Sequence, residues 1–259
     1  MSASEESGLR LDLDPTTERR LKARARLKAL RQSHEERWAA HPWPFLRDAV
    51  STIDQQKGAD GGGPRKWPGG LVDDGRCTCP WLCKNYYEHV VRLLYWCREQ
   101  GIPLVLPKSR RLLASWTCIA YAYWLCRYRP GQLVAFASRK QGHHEGEGSA
   151  ELVRRANQIH ENLPPECAPM HVDYSWCRLK FPNGSEIMGI AQGADQARQY
   201  TFTLYLADEF AFWEWAGKTY AALLPTLEGG GQFVGISTAG PGFMEQLVHD
   251  RWASTGGDE

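Results

Sequence analysis

Two adjacent carboxylates, Asp208 and Glu209, are the residues best suited to chemistry, and they follow the apolar run 204–207. Such a run predicts a strand buried on both faces of a parallel sheet, with the two acids at its carboxyl-terminal edge. Ligands of open α/β sheets bind at that edge, so Asp208 is placed to hold Mg²⁺ and Glu209 to orient and deprotonate an attacking water. Alternatively, the pair simply opens the next helix, where carboxylates favour the positive end of the dipole.

A basic loop upstream is the candidate partner of these acids. The apolar segment 102–107 predicts a strand that runs into Lys108, and the apolar segment 112–127 predicts a helix packed against a sheet. Between a strand and a helix, backbone N–H groups and the helix N-terminus are suited to bind phosphate. The alternative is a basic helix start on the protein surface.

The loop departs from the usual phosphate-binding pattern G-x-x-x-x-G-K-[ST]. Ser115 matches the terminal hydroxyl that contacts Mg²⁺, but Leu113 stands at the second glycine and Ala114 at the lysine. Lys108, at the front of the loop, is the available lysine, and its long side chain can reach a phosphate from that side.

Two hydroxyls, Ser237 and Thr238, end a third apolar segment over 232–236. Hydroxyls at a strand end can hydrogen-bond a γ-phosphate or an attacking water. They can also cap the helix that is expected to start near Phe243.

The order and spacing of these three motifs resemble those of the ATPase domain of the large terminase subunit of tailed bacteriophages, the motor that pumps DNA into capsids. Some members of that family carry the essential lysine at the front of a deviant Walker A loop, as Lys108 is here. Asp208 and Glu209 are similar to the first two residues of the family's D-E-x-A-F motif, and residues 235–240 resemble its coupling motif. The resemblance covers roughly residues 40–250.

The resemblance implies a P-loop NTPase-type α/β fold, with a mainly parallel sheet flanked by helices, and the hydrolysis of ATP with Mg²⁺. The implied catalytic residues are Glu209, Lys108, Arg110 and Arg198. The implied nucleotide contacts are Lys108, Ser109, Arg110, Arg111, Ser115, Ser237 and Thr238. The implied metal ligands are Ser115 and Asp208.

Arginines that act on a neighbouring subunit are a separate question. Arg110 falls where the family keeps an arginine that contacts the phosphates of its own site. Arg139 and Arg198 flank predicted strands, and either could act across a subunit interface. The alternative for Arg198 is a plain surface arginine.

The same resemblance implies double-stranded DNA, a portal protein and a small terminase subunit as partners, with the chain in a homo-oligomeric ring. It implies a location in the cytoplasm of an infected bacterium, docked on the procapsid portal during packaging. Large terminases also carry a C-terminal nuclease domain, which we expect to be absent because the chain ends soon after the coupling motif. A DNA helicase-like translocase and a packaging module that does not hydrolyse ATP remain the alternatives.

The composition fits one large α/β domain. The chain has 259 residues, 42% of them hydrophobic, and a net charge of +1, so DNA contacts are expected from local patches only. The domain is expected over 41–250, between an N-terminal part over 1–40 and a tail over 251–259. Its core strands are expected near 102–106, 131–137, 203–207 and 232–237. The longest apolar run, 112–126, is too short to span a bilayer, so no membrane contact is expected.

The N-terminal part divides in two. Residues 1–16 are acidic and serine-rich, which predicts disorder, whereas residues 18–31 contain seven basic residues and one acid among good helix formers. This basic segment is either a solvated helix or an arm that touches DNA or a partner protein. Beyond it, the prolines after His41 are expected to end this helix. A short helix is expected to follow over 45–53, and the glycine-rich stretch 57–76 is expected to form a loop.

The eight cysteines, without a signal-peptide pattern, indicate reduced thiols in a cytosolic protein. Cys77, Cys79 and Cys83 could bind zinc, although their C-x-C-x₃-C spacing lacks the paired C-x₂-C arrangement. His143 and His144 lie in a stretch rich in glycine and glutamate, which favours an exposed loop over a metal site.

Overall fold

The computed structural model describes residues 14–53, 64–66, 80–109, 112–138, 148–193, 195 and 198–255. Its helices are α1 (Pro15–Ala40), α2 (Pro42–Asp48), α3 (Pro80–Glu99), α4 (Ala114–Tyr128), α5 (Ser149–Glu161), α6 (Ala216–Glu228) and α7 (Phe243–Thr255). Its strands are β1 (Ser51–Ile53), β2 (Pro64–Lys66), β3 (Leu104–Pro107), β4 (Leu133–Ser138), β5 (Asp173–Ser175), β6 (Arg178–Lys180), β7 (Glu186–Ala191), β8 (Leu204–Asp208) and β9 (Gln232–Ser237). A short 3₁₀ turn spans Phe210–Phe212.

Within those residues, the main sheet orders its strands β3-β9-β8-β4-β7-β6-β5. The first five run parallel to one another, and β6 and β5 are added as antiparallel strands. Strands β8 and β9 are buried along most of their length, as expected for parallel strands covered on both faces. The predicted mainly parallel α/β fold flanked by helices is confirmed, and the four predicted core strands correspond to β3, β4, β8 and β9.

The carboxyl ends of β3, β9 and β8 lie side by side. Pro107, at the end of β3, is in register with Ser237 at the end of β9, and Asp208 of β8 is in register with Ile236. Parallel strands share one carboxyl-terminal edge. Three motifs that are far apart in the sequence therefore reach the same edge of the sheet.

Alternate residues of β4, β8 and β9 point into two apolar clusters, one on each face of the sheet. On one face, α4 is buried on nearly all sides and packs against α2, α3 and α5. On the other face, aromatic side chains of β8, β9 and the 3₁₀ turn form the core, among them Tyr205, Phe210 and Phe233. This packing fixes the segments that carry Ser115 and Glu209. Although α4 is apolar, no helix among the described residues combines the length and apolar character that a membrane crossing requires.

Helix α1 begins earlier than predicted. Asp14 accepts hydrogen bonds from the backbone N–H groups of Thr16 and Thr17, and this cap starts the helix at Pro15. The prediction of disorder is therefore wrong for residues 15 and 16, while residues 1–13 lie outside the described part. At the other end of the chain, α7 continues through residues 251–255 of the expected tail.

The predicted break after the first helix is confirmed, because α1 ends at Ala40 and His41 is extended, but the next helix, α2, begins at Pro42 instead of residue 45. Proline fits the first turn of a helix, where its missing N–H is not needed. His41 caps the helix, since its Nδ1 accepts a hydrogen bond from the backbone N–H of Trp43 at 3.1 Å. The helix ends at Asp48.

Strands β1 and β2 follow α2 as a two-stranded antiparallel ribbon. The predicted helix over 45–53 is therefore wrong beyond residue 48, and the predicted loop over 57–76 contains a strand. A three-residue strand leaves little trace in a sequence, because it is too short to show a clear alternation of apolar and polar residues.

Candidate active site

The hydroxyl of Ser115 donates a hydrogen bond to Oδ1 of Asp208 at 3.0 Å. Ser115 lies in the first turn of α4, and Asp208 is the last residue of β8. Both side chains are half-buried at the carboxyl-terminal edge of the sheet. The structure therefore brings together the two residues that the sequence proposed as metal ligands.

Lys108 lies at the same edge. Its backbone N–H donates to the carbonyl oxygen of Ser237 at 2.8 Å, which ties the front of the basic loop to the end of β9. Lys108 is half-buried and Ser109 is exposed, whereas Arg110 and Arg111 lie outside the described residues. Ala114, at the usual lysine position, is buried with 1% of its surface exposed. Lys108 is thus the lysine of this loop.

The thiol of Cys118 reports on the charges around the loop. Cys118 lies one turn beyond Ser115 in α4, and burial strongly raises its pKa. The negative charge of Asp208 raises this pKa further, and the positive charge of Lys108 opposes the rise. The charges of Lys108 and Asp208 therefore both act on this one buried thiol.

Leu113 has the left-handed backbone that glycine adopts most readily. Its φ is 52° and its ψ is 20°, and it is the N-cap residue of α4. Its carbonyl oxygen accepts hydrogen bonds from the backbone N–H of Thr117 at 2.9 Å and from the hydroxyl of Thr117 at 3.0 Å. Leu113 stands where the phosphate-loop pattern has its second glycine, and its backbone adopts a conformation that glycine favours.

Glu209 shows the same unusual backbone, with φ 55° and ψ 35°. Its N–H donates to Oδ1 of Asp208 at 3.1 Å, and its side chain is exposed. Leu113 and Glu209 are the two non-glycine residues with positive φ in the described part of the chain. Such strain tends to cluster at functional sites, where the surrounding packing must hold it.

Ser237 contributes a hydroxyl with unmet hydrogen-bonding capacity. Its side chain is fully buried, and its Oγ has no hydrogen-bond partner in the described part of the structure. Buried hydroxyls are normally paired, so this one suits a ligand oxygen at the strand end. The neighbouring Thr238 is half-buried. The two residues therefore stand at the end of β9, at the expected edge of the sheet.

The oxygen atoms of Ser115 and Asp208 fit Mg²⁺. This ion prefers oxygen ligands in octahedral geometry with bonds of about 2.1 Å, which places adjacent ligands about 3 Å apart. The Ser115 Oγ to Asp208 Oδ1 separation of 3.0 Å matches that spacing. In the described residues, no group of three or more His, Cys, Asp or Glu side chains could hold a metal ion. Cys77, Cys79, His143 and His144 lie outside those residues, as does the side chain of Cys83.

Arg198 is not brought to this cluster by any described contact. Its side chain is 66% exposed, and its nearest ionic partner is Asp195 at 3.8 Å. This exposure is compatible both with a surface arginine and with an arginine that reaches a neighbouring subunit. Arg139, the other candidate, lies outside the described residues.

Trp213 and Phe210 support the acidic pair in ways that the sequence analysis did not assign. The indole N–H of Trp213 donates to the carbonyl oxygen of Asp208 at 3.0 Å. Phe210 is fully buried, and a Cβ added at Gly235 would lie 3.0 Å from its ring. The sequence does contain a signal for this support. An aromatic run directly follows the two acids, and large apolar side chains at that point must pack beneath the site.

A pocket of about 480 Å³ adjoins the site on the side of α7. It is bounded by Pro107, by the segment 239–241, and by α7 residues that include Glu245 and His249. It does not include Asp208 or Glu209, so this pocket lies next to the two carboxylates instead of over them.

No protein-family model matches the sequence. Among solved structures, the chain is similar to the large terminase ATPase domain of Thermus phage P74-26, with 18% identity and a TM-score of 0.40 over 56% of this chain and 62% of that one. It is also similar to the large terminase of a thermophilic bacteriophage, with 12% identity and a TM-score of 0.43 over 62% of this chain and 42% of that one. A complex of that terminase with ADP matches at 13% identity and a TM-score of 0.42, over 62% of this chain and 42% of that one. This chain spans less than two-thirds of the length of each of these structures.

Proposed function

We propose that the chain is an ATP-hydrolysing domain that drives the packaging of double-stranded DNA into a viral capsid. The observation that carries the hydrolytic part is the Ser115–Asp208 hydrogen bond of 3.0 Å at a sheet edge that also holds Lys108 and Glu209. A hydroxyl and a carboxylate positioned for a divalent ion, next to a lysine and a second carboxylate, match what phosphoryl transfer to water requires.

Each residue has a distinct role in this proposal. Lys108 and the N-terminal N–H groups of α4 bind the phosphates, because both present positive charge at the edge of the sheet. Ser115 and Asp208 hold Mg²⁺, which when bound would offset the charge of the phosphate oxygens. Glu209 orients the attacking water and accepts its proton.

Ser237 and Thr238 complete the proposed site. The unpaired buried hydroxyl of Ser237 is suited to donate to a γ-phosphate oxygen or to position the water. Because Ser237 also accepts the hydrogen bond from Lys108, its strand moves with the front of the phosphate loop.

Close packing supports a link from hydrolysis to movement. Glu209 leads directly into the 3₁₀ turn, where Phe210 touches Gly235 of β9 and Phe212 approaches Gly240 just beyond it. A Cβ at either glycine would lie 3.0 Å from the facing ring. A change around Glu209 would therefore be transmitted to the segment 235–240, which resembles the family's coupling motif.

The wider assembly is also part of the proposal. The chain would act in a homo-oligomeric ring, with a portal protein, a small terminase subunit and double-stranded DNA as partners, in the cytoplasm of an infected bacterium and docked on a procapsid. In such a ring the exposed Arg198 could reach the site of a neighbour. An arginine supplied in this way typically raises phosphoryl-transfer rates by about 10³–10⁵-fold.

The test is ATP binding and phosphate release by the purified chain. Glu209→Gln should keep fluorescent-ATP binding and lower turnover by about 10²-fold or more, since a positioned base contributes about 10²–10⁴. Lys108→Ala should lose both binding and turnover. Glu214→Gln and Lys180→Ala, at exposed positions, are the matched controls and should behave as wild type.

The outcomes separate the alternatives. Unchanged turnover in Glu209→Gln would remove Glu209 as the base, and no ATP binding by the wild type would favour a module that does not hydrolyse ATP. Strand displacement by the wild type would indicate a helicase. Mixing Arg198→Ala with Glu209→Gln chains should restore part of the activity if Arg198 acts across an interface.

A further inference from the structure

The N-terminal half of α1 projects away from the folded body. Every side chain from residue 18 to residue 30 is exposed. Among the described residues, the contacts that anchor the helix lie near its other end. Trp38 is buried there, Glu35 pairs with the buried Arg127 at 3.1 Å, and Arg31 donates to the carbonyl of Pro165 at 3.0 Å. Packing contributes little to the stability of a helix this exposed. Its surface composition is therefore better explained by a binding partner outside the chain.

Basic residues occupy two rows along this projecting half. At about 100° per residue, the rows lie on roughly opposite sides of the helix. The first basic row consists of Arg19, Lys22 and Arg26, and the second basic row consists of Arg20, Arg24 and Lys28.

Within the described residues, ion pairs neutralise little of the charge on these rows. Glu18 pairs with Lys22 at 2.5 Å, and the other five basic residues of the two rows make no ion pair within the described residues. Within each row the positive charges follow one another at three or four residues, a spacing at which like charges lower the stability of a helix. An anionic partner along both sides would remove this repulsion.

We propose that the projecting half of α1 inserts into the major groove of double-stranded DNA, with each basic row against one phosphate strand. An α-helix with its side chains is about 10–12 Å across, and the major groove is about 12 Å wide. A helix in that groove has a phosphate strand on each side, which matches two rows on opposite faces. The rows extend over about 14 Å, a length that faces several phosphates at about one charge per 1.7 Å of duplex.

The apolar residues of this segment do not favour a protein partner. Leu21, Leu27 and Leu30 are exposed by 47%, 42% and 47%. At about 100° per residue, Leu27 and Leu30 lie on one side of the helix and Leu21 on the other. A helix that docks in a protein groove presents one continuous apolar stripe at i, i+3, i+4 and i+7, and α1 lacks such a stripe.

The binding of DNA by α1 rests on the proposed function in one respect, because DNA is the polymer that the proposed motor moves. It requires neither ATP nor hydrolysis. Binding can therefore be measured in the absence of nucleotide, and loss of ATPase activity would not be mistaken for loss of DNA binding.

The experiment is fluorescence anisotropy of the full chain with a labelled 30-base-pair duplex of mixed sequence, at several salt concentrations and without nucleotide. Two variants neutralise one basic row each, and glutamine keeps a helix propensity close to that of arginine and lysine. They are Arg19→Gln/Lys22→Gln/Arg26→Gln and Arg20→Gln/Arg24→Gln/Lys28→Gln. The control removes the same charge at exposed positions of the folded body and is Arg92→Gln/Lys180→Gln/Lys218→Gln.

Each row variant should bind at least about tenfold more weakly, and should lower the slope of log affinity against log salt by up to about 2.7, because each phosphate contact contributes about 0.9. The control should change affinity by less than twofold. Row variants that bind like the wild type would overturn the proposal, as would a control that loses as much affinity as they do. Equal displacement by polyglutamate of matched charge would also overturn it, since an acidic protein would then serve as well as a duplex.

Discussion

The hydroxyl of Ser115 donates to a carboxylate oxygen of Asp208 at 3.0 Å, although 93 residues separate the two in the chain. The bond joins the first turn of α4 to the end of β8. In the sequence, these two elements carry separate motifs, the basic loop with its helix and the acidic pair. In the sheet, β9 lies between β3 and β8, so Ser115, which follows β3 in the chain, bonds to a strand two positions away. The hydrogen bond from the Lys108 N–H to the carbonyl of Ser237 joins the residue after β3 to the end of β9.

This relationship predicts that Ser115 and Asp208 act as one unit toward Mg²⁺. Ser115→Ala and Asp208→Asn should each weaken the Mg²⁺-dependent part of nucleotide binding, and the double variant should be little worse than Asp208→Asn alone, because both ligands serve one ion. The measurement is fluorescent-ATP affinity over a Mg²⁺ titration, with Ser33→Ala, at an exposed position on α1, as the control. Strictly additive losses in the double variant would mean that the two residues serve different functions.

The backbone of Leu113 provides a second prediction, about stability. A left-handed conformation costs a residue with a side chain roughly 1–2 kcal/mol, and glycine does not pay it. Leu113→Ala and Leu113→Gly both lose the contact of the half-buried leucine with the core, but only the glycine also relieves the strain. Leu113→Gly should therefore be more stable than Leu113→Ala by about 1 kcal/mol in denaturant unfolding. The reverse order would show that the conformation at position 113 differs from the one described.

His41 gives a third prediction, on pH. Burial lowers the pKa of the His41 imidazole below its ordinary 6.5, and the positive charge of Arg92 lowers it further, against the opposing charge of Glu88. The folded state thus binds fewer protons than the unfolded state at mildly acidic pH, so the unfolding free energy falls as pH drops below about 6.5. The full contribution is present above that value. Protonation also removes the acceptor for the Trp43 N–H, which breaks the cap of α2.

Two substitutions separate the cap of His41 from its titration. His41→Asn keeps a good N-cap without a titrating group, so its unfolding free energy should fall less than that of the wild type between pH 7.5 and 5.5. His41→Ala loses the cap and should be about 1 kcal/mol less stable at pH 7.5. A residual slope is expected, because burial also lowers the pKa of His160. Identical pH profiles for the wild type and His41→Asn would exclude His41 as a source of the dependence.

The sequence located the core strands because burial on both faces requires continuous apolar runs. It also indicated Ser115 and Asp208 as candidate site residues, because both stand at fixed distances from such runs. It did not reveal the order of the strands. Nothing within 232–237 indicates that β9 separates β3 from β8, because this order depends on contacts between residues far apart in the chain.

Local preferences were misleading where the tertiary structure overrides them. Leucine is a poor residue for positive φ, so nothing in the sequence indicated the left-handed backbone that Leu113 adopts at the start of α4. At Pro42, the next helix begins three residues before its predicted start, because the preceding His41 supplies a cap. Histidine is not among the usual capping residues, so this cap was not expected.

The contact between Gly235 and Phe210 leads to the last prediction. Gly235→Ala would place a Cβ 3.0 Å from the Phe210 ring and 3.1 Å from the Phe233 ring, both of which are fully buried and cannot move aside. Overpacking of this kind costs about 1–3 kcal/mol. Because Phe210 directly follows Glu209, the displaced ring should also shift the proposed base, so Gly235→Ala should lower both the unfolding free energy and the ATP turnover.

Gly240→Ala is the matched control for this contact. Its Cβ would also lie 3.0 Å from a ring, but that ring belongs to Phe212, which is 42% exposed and can rotate toward solvent. Gly240→Ala should therefore change stability by less than about 0.5 kcal/mol, as surface changes usually do. Adding Phe210→Leu to Gly235→Ala should recover part of the lost stability, because the smaller side chain makes room for the methyl group. Equal losses in the two alanine variants, without recovery by Phe210→Leu, would show that the buried ring is not what makes position 235 require glycine.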